Sequence, residues 1–325
     1  MKAVIWTRYG PPETLVVREM DKPEPRAGEV LIRNSVANIF AGDAELRRFQ
    51  MHALFWLPIR LVVGVFRPRI KILGQEFAGT IEAVGEGVSD FAPGDRVFAP
   101  TGLGGAYAEF LCQKTRWLTR IPDDVSFDEA ACIAVGGSSA LHFLRVGQVK
   151  AGDKVLLNGA GGSIGTLAVQ LAKLMGAEVT AVDHHRKLST LLGLGADHVV
   201  DYEQEDFADR ESAYDVIVDI VGKASYSPCL KALKPGGYLV LGNAPSGQML
   251  RRFWGAYSTD RKVRIAIAGY HREDLEYLAT LLAEEKIKPV IERSYTIEQM
   301  VEAHRYLDSG RKTGNVLLQM ATDAD

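Results

Sequence analysis

Apolar and polar positions alternate with two different periods along this chain, and the change falls near residue 123. Before it, short apolar runs separated by Gly, Pro and Asp predict β-strands. After it, strand-like runs take turns with helical spacing, which is typical of a parallel sheet covered by helices. The predicted strands of the first part are Met1–Trp6, Val30–Arg33, Thr80–Val84 and Arg96–Ala99.

The second part begins with a helix signal. Ser126 is a suitable N-cap, and Glu129 three residues later completes a capping box. Further strands and helices then alternate to the end of the chain. The predicted strands are His198–Val200, Asp215–Asp219, Tyr238–Leu241, Val263–Ala268 and Asn315–Met320, and the predicted amphipathic helices are Leu275–Ala283 and Ile297–Leu307.

One stretch contains a strand, a glycine turn, a helix and a second strand in succession. The strands are Lys154–Asn158 and Glu178–Val182, and the helix between them has Leu167 and Leu171 on one apolar face. The turn consists of Gly159, Ala160, Gly161, Gly162, Ser163, Ile164 and Gly165. This βαβ order over about 30 residues is the setting that a dinucleotide-binding fingerprint requires.

Glycine is needed in such a turn for a physical reason. A pyrophosphate at a helix N-terminus is held by backbone N–H groups and by the positive end of the helix dipole. The backbone must approach it closely, and a Cβ would obstruct that approach. Gly162 and Gly165 match the last two glycines of GxGxxG, and Ala160 takes the place of the first. We therefore predict a nucleotide site here.

Length, composition and charge narrow the class of protein. A chain of 325 residues predicts two domains, and 47% hydrophobic with 24% charged residues is ordinary for a soluble globular protein. A net charge of -3 and a pI of about 6.2 indicate neither a nucleic acid nor a membrane as partner. Cys112, Cys132 and Cys229 lack CxxC spacing, and the N-terminus lacks a signal-peptide pattern, so we expect a cytoplasmic protein.

The segment Met51–Phe66 is nearly all apolar, and Pro58 interrupts it. It is shorter than the ~20 residues that a membrane-spanning helix needs. Two interpretations stay open, namely a core helix or packed loop, and an apolar wall or lid over a substrate pocket. Membrane insertion is the least favoured.

Longer motifs along the chain carry a family resemblance. They include KAVIWTRYGPPETL, ILGQEFAGTIEAVGEGVSDFAPGDRVF, GGAYAEF, NGAGGSIGTLAVQLAK, LGADHVVDY, YDVIVDIVG, LKPGGYLVLG, KIKPVIE and GRKTGNV. Nearly from end to end, the chain resembles the medium-chain dehydrogenase/reductase superfamily, specifically its zinc-independent quinone oxidoreductase-like branch. The resemblance implies an α/β fold, with a Rossmann domain (a doubly wound parallel sheet) and a GroES-like, β-rich catalytic domain. It implies a GroES-like domain at 1–122, a Rossmann domain at 123–264 and a return to the catalytic domain at 265–325.

The resemblance also shows which residues of this chain occupy the zinc-ligand positions of related dehydrogenases. Zinc alcohol dehydrogenases of this superfamily use an early cysteine, the histidine of a GHE motif and a later cysteine or acid. Here Val36–Asp43 has no cysteine, residues 74–76 read GQE, and the third position falls near Val135. An amide is a poor zinc ligand, and a catalytic zinc needs about three protein ligands. His184 and His185 are adjacent on a predicted loop without metal spacing, so we expect no zinc.

Without a metal to polarise an alcohol, the readiest chemistry is hydride delivery from a reduced nicotinamide to a quinone or conjugated carbonyl. The resemblance implies that Asn38 and Asp43 belong to the active-site loop, with Asn38 contacting the nicotinamide or substrate, and that Tyr107 lies in an active-site turn. It places Ser139 and Asn243 near the nicotinamide. Two alternatives stay open, since Asp43 is also suited to cap the following helix and Tyr107 to pack its ring.

The residues at the end of the second strand of the nucleotide motif indicate whether the cofactor is NADH or NADPH. Asp183 lies about 20 residues after the glycine turn, where an acid binds the ribose 2′-OH and disfavours a 2′-phosphate. Arg186 and Lys187 follow it, and cations there suit the phosphate unless they only begin a solvated helix. The resemblance implies that Lys187 and Tyr202 hold a 2′-phosphate, and Asp183 departs from the small residue usual in that pattern. We expect NADPH, with NADH also usable.

These residues predict an NAD(P)H-dependent reductase of quinones or α,β-unsaturated carbonyls, acting on a small apolar acceptor. A zinc-free alcohol/aldehyde dehydrogenase is a variant of it. A protein that holds NADPH without turnover, as structural or regulatory relatives do, is the alternative from another class, and an intact fingerprint does not separate the two. The resemblance further implies a homodimer formed through the edge strand Val263–Ala268.

Overall fold

The computed structural model describes residues 1–49, 53–222, 224–242 and 260–320. The chain divides into two compact units. The first unit consists of Met1–Val135, Tyr270–Glu285 and Ile291–Asp325. The second unit consists of Gly136–Gly269 and Lys286–Val290.

The first unit is β-rich. Its strands are β1 (Lys2–Trp6), β2 (Leu15–Glu19), β3 (Glu29–Asn38), β4 (Glu76–Val84), β5 (Arg96–Pro100), β6 (Phe110–Lys114), β7 (Thr119–Arg120), β14 (Ile291–Thr296) and β15 (Asn315–Gln319). Its helices are α1 (Ala41–Arg48), α2 (Ala53–Val63), α3 (Phe127–Ala130), α8 (Arg272–Ala283) and α9 (Met300–Asp308), with 3₁₀ turns at Pro12–Thr14, Thr115–Trp117 and Ile297–Gln299.

A seven-stranded sheet forms the body of this unit, in the order β14-β15-β3-β4-β5-β7 with β6 on the free part of β3. Only the pair β14 and β15 is parallel; the other pairs are antiparallel. The pair β1–β2 is separate, and its bridge from Ala3 to Ala108 joins it to the rest of the unit. Trp6, Ile32, Phe77 and Leu318 are fully buried in the core that these strands cover.

The second unit is a doubly wound α/β domain. Its strands are β8 (Lys154–Asn158), β9 (Glu178–Asp183), β10 (His198–Asp201), β11 (Tyr214–Asp219), β12 (Leu233–Leu241) and β13 (Lys262–Ile265). Its helices are α4 (Gly136–Val146), α5 (Ser163–Leu174), α6 (His185–Gly193) and α7 (Tyr226–Ala232), with a 3₁₀ turn at Phe207–Asp209.

All pairs in the second unit's sheet are parallel, and the strand order is β10-β9-β8-β11-β12-β13. Numbered from β8, this is the order 3-2-1-4-5-6 of the Rossmann fold. The predicted fold class is therefore confirmed. Among the described strands β13 lies at one edge of this sheet, and the homodimer expected there stays a prediction.

The boundaries of the units differ from the expected domain limits. Residues 123–135 cluster with the first unit, because the Arg96 guanidinium donates to the carbonyls of Pro122, Asp123 and Val125. At the other end, residues 265–269 and Lys286–Val290 cluster with the second unit. In that return segment Gln170 and Lys288 exchange two hydrogen bonds of 3.0 and 2.8 Å.

Local sequence signals predicted most of the helices and strands, but some of the predicted elements end too early. The Ser126–Glu129 capping box is present with both of its hydrogen bonds. Strand β3, in contrast, continues past the predicted Val30–Arg33 to Asn38. A register shift between Asn34 and Val36 breaks the apolar alternation there while pairing with β4 continues, so periodicity alone ends the strand early.

Within the apolar segment Met51–Phe66, residues 53–63 form helix α2, and residues 64–66 belong to the loop that follows it. Among the side chains described, Leu57, Leu61 and Val62 are more than half exposed. A core helix was one of the two open interpretations, and this exposure contradicts it. Of the described helices, none has both the length and the hydropathy to cross a bilayer.

Candidate functional site

The nucleotide turn joins β8 to α5 in the second unit. Gly159 adopts a φ of 86°, which favours glycine, and Gly159 and Ala160 both donate their N–H groups to the Val182 carbonyl of β9. Gly162 is the N-cap of α5 and has no side chain to cap it. The N-terminus of α5 is thereby left for an anion, as a pyrophosphate site requires.

Gly165 and Gly162 of this turn differ in the reason why a glycine stands at each position. A Cβ on Gly165 would lie 2.5 Å from the backbone of Ala160, so glycine is needed there for the helix to pack on the turn. A Cβ on Gly162 would meet nothing nearer than the Gly159 carbonyl oxygen at 4.0 Å. The protein therefore does not require glycine at position 162, whereas a pyrophosphate at the helix terminus would.

Asp183 lies at the carboxyl end of β9, beside the turn. One carboxylate oxygen accepts a hydrogen bond of 2.7 Å from the Gly161 N–H, and the other is 3.0 Å from the Lys187 ammonium. The Lys187 side chain crosses Gly161 so closely that a Cβ there would be 2.4 Å from its Cδ. Asp183 and Lys187 thus form one charged pair on the glycine turn, and their charges partly neutralise each other.

The other residues expected at the adenosine end of the cofactor are more exposed. Arg186 is exposed on the first turn of α6, and Tyr202, which follows β10, is 56% exposed. The Tyr202 ring lies edge-on to His184, with centroids 6.2 Å apart. The structure therefore brings Tyr202 close to the start of α6, as a shared phosphate site would need.

His184 lies in the short connection between β9 and α6, as expected, whereas His185 is the first residue of α6 and not part of a loop, which corrects the sequence expectation for that residue. His184 is the N-cap of α6, and its Nδ1 accepts a hydrogen bond of 3.3 Å from the Arg186 N–H. In the described part of the chain, one cluster of metal-ligating side chains has its ligand atoms within 4.8 Å of one another, and it comprises these two histidines and Glu203. The centroids of the two imidazole rings are 4.0 Å apart, with 34° between the ring planes.

Ser139 and Asn243 were also expected to contact the cofactor, and the structure describes the first of them. Ser139 is buried on α4, which packs against α5 in the same unit. Asn243 lies outside the described residues. The role of each in nicotinamide binding stays a prediction.

In the first unit, Asn38 is buried at the end of β3. Its Nδ2 donates to the Glu76 carboxylate at 2.7 Å and to the Asn315 Oδ1 at 2.8 Å. The second oxygen of Glu76 accepts a hydrogen bond of 2.6 Å from the Val135 N–H. Three strands and a loop thus meet at one polar cluster. The Asn38 Oδ1 is buried and has no hydrogen-bond partner among the described residues.

Asp43 extends this cluster from the first turn of α1. Its carboxylate accepts hydrogen bonds from the Tyr107 hydroxyl at 2.9 Å and from the N–H groups of Phe40 and Gly74, each at 3.1 Å. Both open alternatives are therefore true in part, because Asp43 caps α1 through Phe40 and Tyr107 packs a fully buried ring. The two residues expected at the active site are joined by a direct hydrogen bond. We call Asn38, Asp43, Glu76, Tyr107 and Asn315 the carboxyl cluster.

Burial governs the protonation of both acids. Loss of hydration raises the pKa of Glu76 to about 7, although the Val135 N–H, the Asn38 amide and the Lys312 cation all favour the ionised form. Burial likewise raises the pKa of Asp43 to about 6, against the hydrogen bonds from Tyr107 and the backbone. Near neutral pH this cluster can therefore hold or release a proton.

A buried arginine lies beside the carboxyl cluster. Arg47 donates from Nε to the His304 Nδ1 at 3.3 Å and from its terminal nitrogens to the Gly10 carbonyl and the Asp308 carboxylate, at 2.6 and 2.5 Å. Burial and the Arg47 cation lower the pKa of His304 to about 3, so this histidine is neutral. Its ring lies edge-on to Tyr107 at 6.0 Å.

The sequence reasoning missed part of this site. It considered Glu76 only as a zinc ligand and did not single out Asn315 or the Val135 N–H as partners. One signal was available, because Glu76 is an acid directly before the apolar run Phe77-Ala78 and would be buried if that run were a strand. No local signal pointed to Asn315, which reaches Asn38 through the β15–β3 pairing.

A small cavity of about 160 Å³ borders the cluster in the first unit, and its lining residues are Pro100, Thr101, Gly102, Gln113, Trp117 and Tyr270. Burial raises the pKa of Tyr270 to about 12, and the negative charges of Glu76 and Asp43 add to this. The Thr101 hydroxyl donates to the Gly74 carbonyl at 2.6 Å. The cavity therefore combines an aromatic lining with a polar edge.

The residues at the zinc position of related dehydrogenases do not suit zinc. Both Glu76 oxygens are taken by N–H donors, and Gln75 offers an amide whose side chain hydrogen-bonds Asp43. The nearby Cys132 donates its thiol to the Asp128 carbonyl at 3.1 Å, and burial raises its pKa well above the usual value. A zinc ion needs about three protein ligands, with cysteine as thiolate, and these side chains do not supply them.

A parallel sheet in Rossmann order with a glycine turn, and a β-rich unit with a buried polar cluster, define a nucleotide-dependent dehydrogenase or reductase. Comparison with known proteins agrees. Residues 26–123 match the alcohol dehydrogenase GroES-like domain, and residues 194–318 match the zinc-binding dehydrogenase family.

Full-length relatives share this architecture. The acryloyl-coenzyme A reductase of Metallosphaera sedula is 30% identical over 98% of this chain and 99% of its own length. The alcohol dehydrogenase of Geobacillus stearothermophilus is 30% identical over 98% and 100%. The structure of the quinone oxidoreductase from Coxiella burnetii superposes with a TM-score of 0.89 at 26% identity, covering 99% of each chain. The chain belongs to the medium-chain dehydrogenase/reductase superfamily, in its quinone oxidoreductase-like branch, and is an NAD(P)-dependent oxidoreductase.

Proposed function

We propose that this protein is a zinc-independent NAD(P)H-dependent reductase that delivers a hydride to a quinone or an α,β-unsaturated carbonyl. The observation that carries the proposal is the state of Glu76, whose two oxygens are both engaged by N–H donors where zinc dehydrogenases would bind their metal. An intact nucleotide turn accompanies this loss of zinc ligands. Acceptors that are already activated need no Lewis acid, so the two features fit one chemistry.

The relatives support the same class of acceptor. A quinone, and the acryloyl group named for the Metallosphaera sedula enzyme, both contain a C=C bond conjugated to a carbonyl. Hydride addition to such a system places negative charge on the carbonyl oxygen and then requires a proton. A substrate with such a conjugated carbonyl would suit the aromatic cavity lined in part by Trp117 and Tyr270.

We propose roles for the first unit's residues in that reaction. A bound reduced nicotinamide supplies the hydride. The Tyr107 hydroxyl and the Asp43 carboxyl, 2.9 Å apart, form the acid pair that holds a proton for the reduced acceptor. The Asn38 Nδ2 already donates to Glu76 and Asn315, so this amide nitrogen is not available to the cofactor or substrate. We propose that the Asn38 Oδ1, which has no partner among the described residues, accepts from a donor on the cofactor or substrate.

For the cofactor we propose a preference for NADPH, with NADH also used. Lys187 is held over the glycine turn by Asp183, and Tyr202 is close to the same helix start. A 2′-phosphate would compete with Asp183 for the Lys187 ammonium, so the preference for NADPH should be moderate.

Alcohol oxidation is the second candidate, and the Geobacillus stearothermophilus relative is the observation that favours it. Without zinc, the alcohol proton would have to pass to the Asp43–Tyr107 pair. A third outcome, cofactor binding without turnover, is compatible with the nucleotide turn alone.

The test follows NADPH and NADH oxidation with a quinone, an enone and an aldehyde, and NADP⁺ and NAD⁺ reduction with a primary alcohol, each with and without a chelator. We expect turnover of the quinone or enone that is insensitive to the chelator. Chelator-sensitive alcohol oxidation would overturn the assignment of a zinc-free site. Tight cofactor binding with no turnover in the panel would favour the binding protein.

A further inference from the structure

Helix α2 and the loop that follows it expose an unusual set of apolar side chains. Their exposed fractions are 45% for Trp56, 58% for Leu57, 54% for Leu61, 61% for Val62, 40% for Val65 and 92% for Phe66. We call these six residues the α2 patch. Scattered apolar side chains are normal on a protein surface, but a contiguous set usually marks a binding face.

The opposite side of α2 is anchored to the first unit. Val63 is fully buried, and the Arg60 guanidinium lies over the rings of Tyr9 and Phe49 at 3.7 and 4.4 Å. Arg60 also donates to the Val65 carbonyl at 2.8 Å. The Trp56 ring joins this packing, since it lies edge-on to Phe49 at 5.8 Å and its centroid is 5.6 Å from the Arg60 guanidinium. These contacts fix the orientation of the helix, and the other five side chains of the α2 patch are exposed on it or on the loop after it.

Cations border the α2 patch. Arg67, Arg69 and Lys71 are exposed and follow it directly in the sequence. The hydrogen bonds that Arg69 and Lys71 donate go to main-chain carbonyls. From residue 46 to residue 75 the sequence contains no Asp or Glu, although the whole chain has a net charge of -3. The positive charge is therefore concentrated beside the apolar surface.

We propose that the α2 patch and its bordering cations bind the surface of an anionic lipid bilayer, with α2 lying in the plane of the interface. An apolar helix face next to Arg and Lys, with an aromatic side chain at the boundary, is the pattern of interfacial helices. The overall charge led us to expect no membrane partner, but the local charge and exposure reverse that expectation. The proposal does not depend on the reductase activity.

Other occupants fit less well. In a two-fold contact with a second copy, each copy would present the same patch, and the Arg67, Arg69 and Lys71 of both copies would face each other without acids. An acidic protein partner would satisfy the charge. A bilayer also accepts the projecting ring of Phe66, which is 92% exposed, without needing a complementary pocket.

The first experiment is co-sedimentation of the full chain with unilamellar vesicles, either of phosphatidylcholine alone or with added phosphatidylglycerol. We expect binding to the phosphatidylglycerol vesicles, weak binding to phosphatidylcholine alone, and release as salt screens the charges. Absence of binding to the anionic vesicles would overturn the proposal.

Two double variants separate the apolar and ionic contributions. Arg67→Gln with Arg69→Gln should weaken partitioning about fivefold for each charge removed. Leu61→Ser with Phe66→Ser should weaken it on the order of tenfold or more. The matched controls are Leu192→Ser, which changes a side chain that is 50% exposed on α6 in the second unit, and Arg18→Gln on β2, and both should bind like the wild type.

Circular dichroism and thermal unfolding establish that the variants are folded, and sedimentation velocity without lipid gives their oligomeric state. Vesicle binding that both double variants retain would overturn the proposal. Self-association that Leu61→Ser with Phe66→Ser abolishes, without vesicle binding by the wild type, would assign the α2 patch to a second copy of this chain.

Discussion

The nucleotide turn of the second unit and the carboxyl cluster of the first unit are assembled in opposite ways. The turn is one continuous stretch from Gly159 to Gly165, and its conformation follows from its own glycines and the helix that it begins. The carboxyl cluster joins side chains as distant in sequence as Asn38 and Asn315, which meet because β3 pairs with β15. A local site is encoded by spacing, whereas a distributed site exists only once the sheet has formed.

The two sites also differ in their electrostatics. The turn presents backbone dipoles beside the largely buried Asp183–Lys187 pair, which suits a charged ligand. The carboxyl cluster is fully buried, and its acids have raised pKa values because water is excluded. The first arrangement suits the binding that we propose for the turn, and the second suits the proposed proton transfer. Variants of each site test this contrast.

Replacing Gly162 should have the largest effect. We expect Gly162→Val to weaken NADPH binding on the order of 100-fold or more, because the added side chain occupies the approach of the pyrophosphate to α5. Fluorescence titration with NADPH measures the loss. Thermal unfolding should change little, because an added Cβ meets no protein atom closer than 4.0 Å.

Gly193→Val is the matched control, since a Cβ there also meets nothing within 4 Å and the position is far along α6 from the turn. It should keep the wild-type affinity. Equal affinity in Gly162→Val and Gly193→Val would show that the nucleotide does not bind at this turn.

The pH dependence of stability should reveal the burial of Glu76. Its pKa rises from 4.5 to about 7 on folding, so the folded protein binds the proton more tightly than the unfolded chain. This contribution to stability is complete below about pH 4.5 and is lost as the pH rises through 7. Relative to Glu76→Gln, the wild type should lose on the order of 3 kcal/mol across that range.

Urea unfolding of both proteins at several pH values measures this difference. The contribution of buried His304 to the pH dependence of stability has the opposite sign. Its pKa is lowered, so it adds stability as the pH rises from about 3 to the free value of 6.5. Both proteins contain His304, so the comparison cancels it. Parallel stability curves for wild type and Glu76→Gln would contradict the burial of an ionising group at this position.

Asn38→Ala should reduce both stability and activity. It leaves the Glu76 carboxylate and the Asn315 Oδ1 without the amide that both accept from, at a cost of about 2 kcal/mol in the free energy of unfolding. Steady-state kinetics with the best acceptor should show a fall in kcat as well, because the variant lacks the Oδ1 that we propose accepts from the cofactor or substrate.

Gln170→Ala supplies the comparison for that variant. Gln170 is a buried amide of α5 in the second unit, where it exchanges two hydrogen bonds with the Lys288 backbone. Its loss should cost similar stability with little change in kcat for the remaining folded protein. An equal fall in kcat for both variants would make Asn38 a structural residue only.

Lys187→Ala should have the smallest effect. We expect the Kd of NADPH to rise about tenfold, because one phosphate-binding cation is lost and Asp183 is left unpaired beside the ribose. The Kd of NADH should stay within a factor of about two, since a 2′-OH gains nothing from the cation. Equal losses for the two cofactors would contradict a 2′-phosphate site at Lys187.

The sequence predicted the architecture well where the signal was local. The strand Lys154–Asn158 and the capping box at Ser126 follow from periodicity, caps and glycines, and the family resemblance implied the Rossmann sheet of the second unit. It failed where pairing or burial overrides the local pattern. Strand β3 continues through a register shift, and α2 exposes an apolar face that hydropathy alone assigns to the interior.

The candidate site divides along the same line. The sequence by itself determined the glycine turn, the position of Asp183 and Lys187, and the loss of cysteine and histidine at the zinc position, because each depends on residue identity within a short segment. Only the tertiary structure decided that Glu76 is shared between Asn38 and Val135 and that Tyr107 donates to Asp43. Hydrogen bonds between distant segments, and the exclusion of water that raises a carboxyl pKa, arise from the packing of the whole unit and have no counterpart in local spacing.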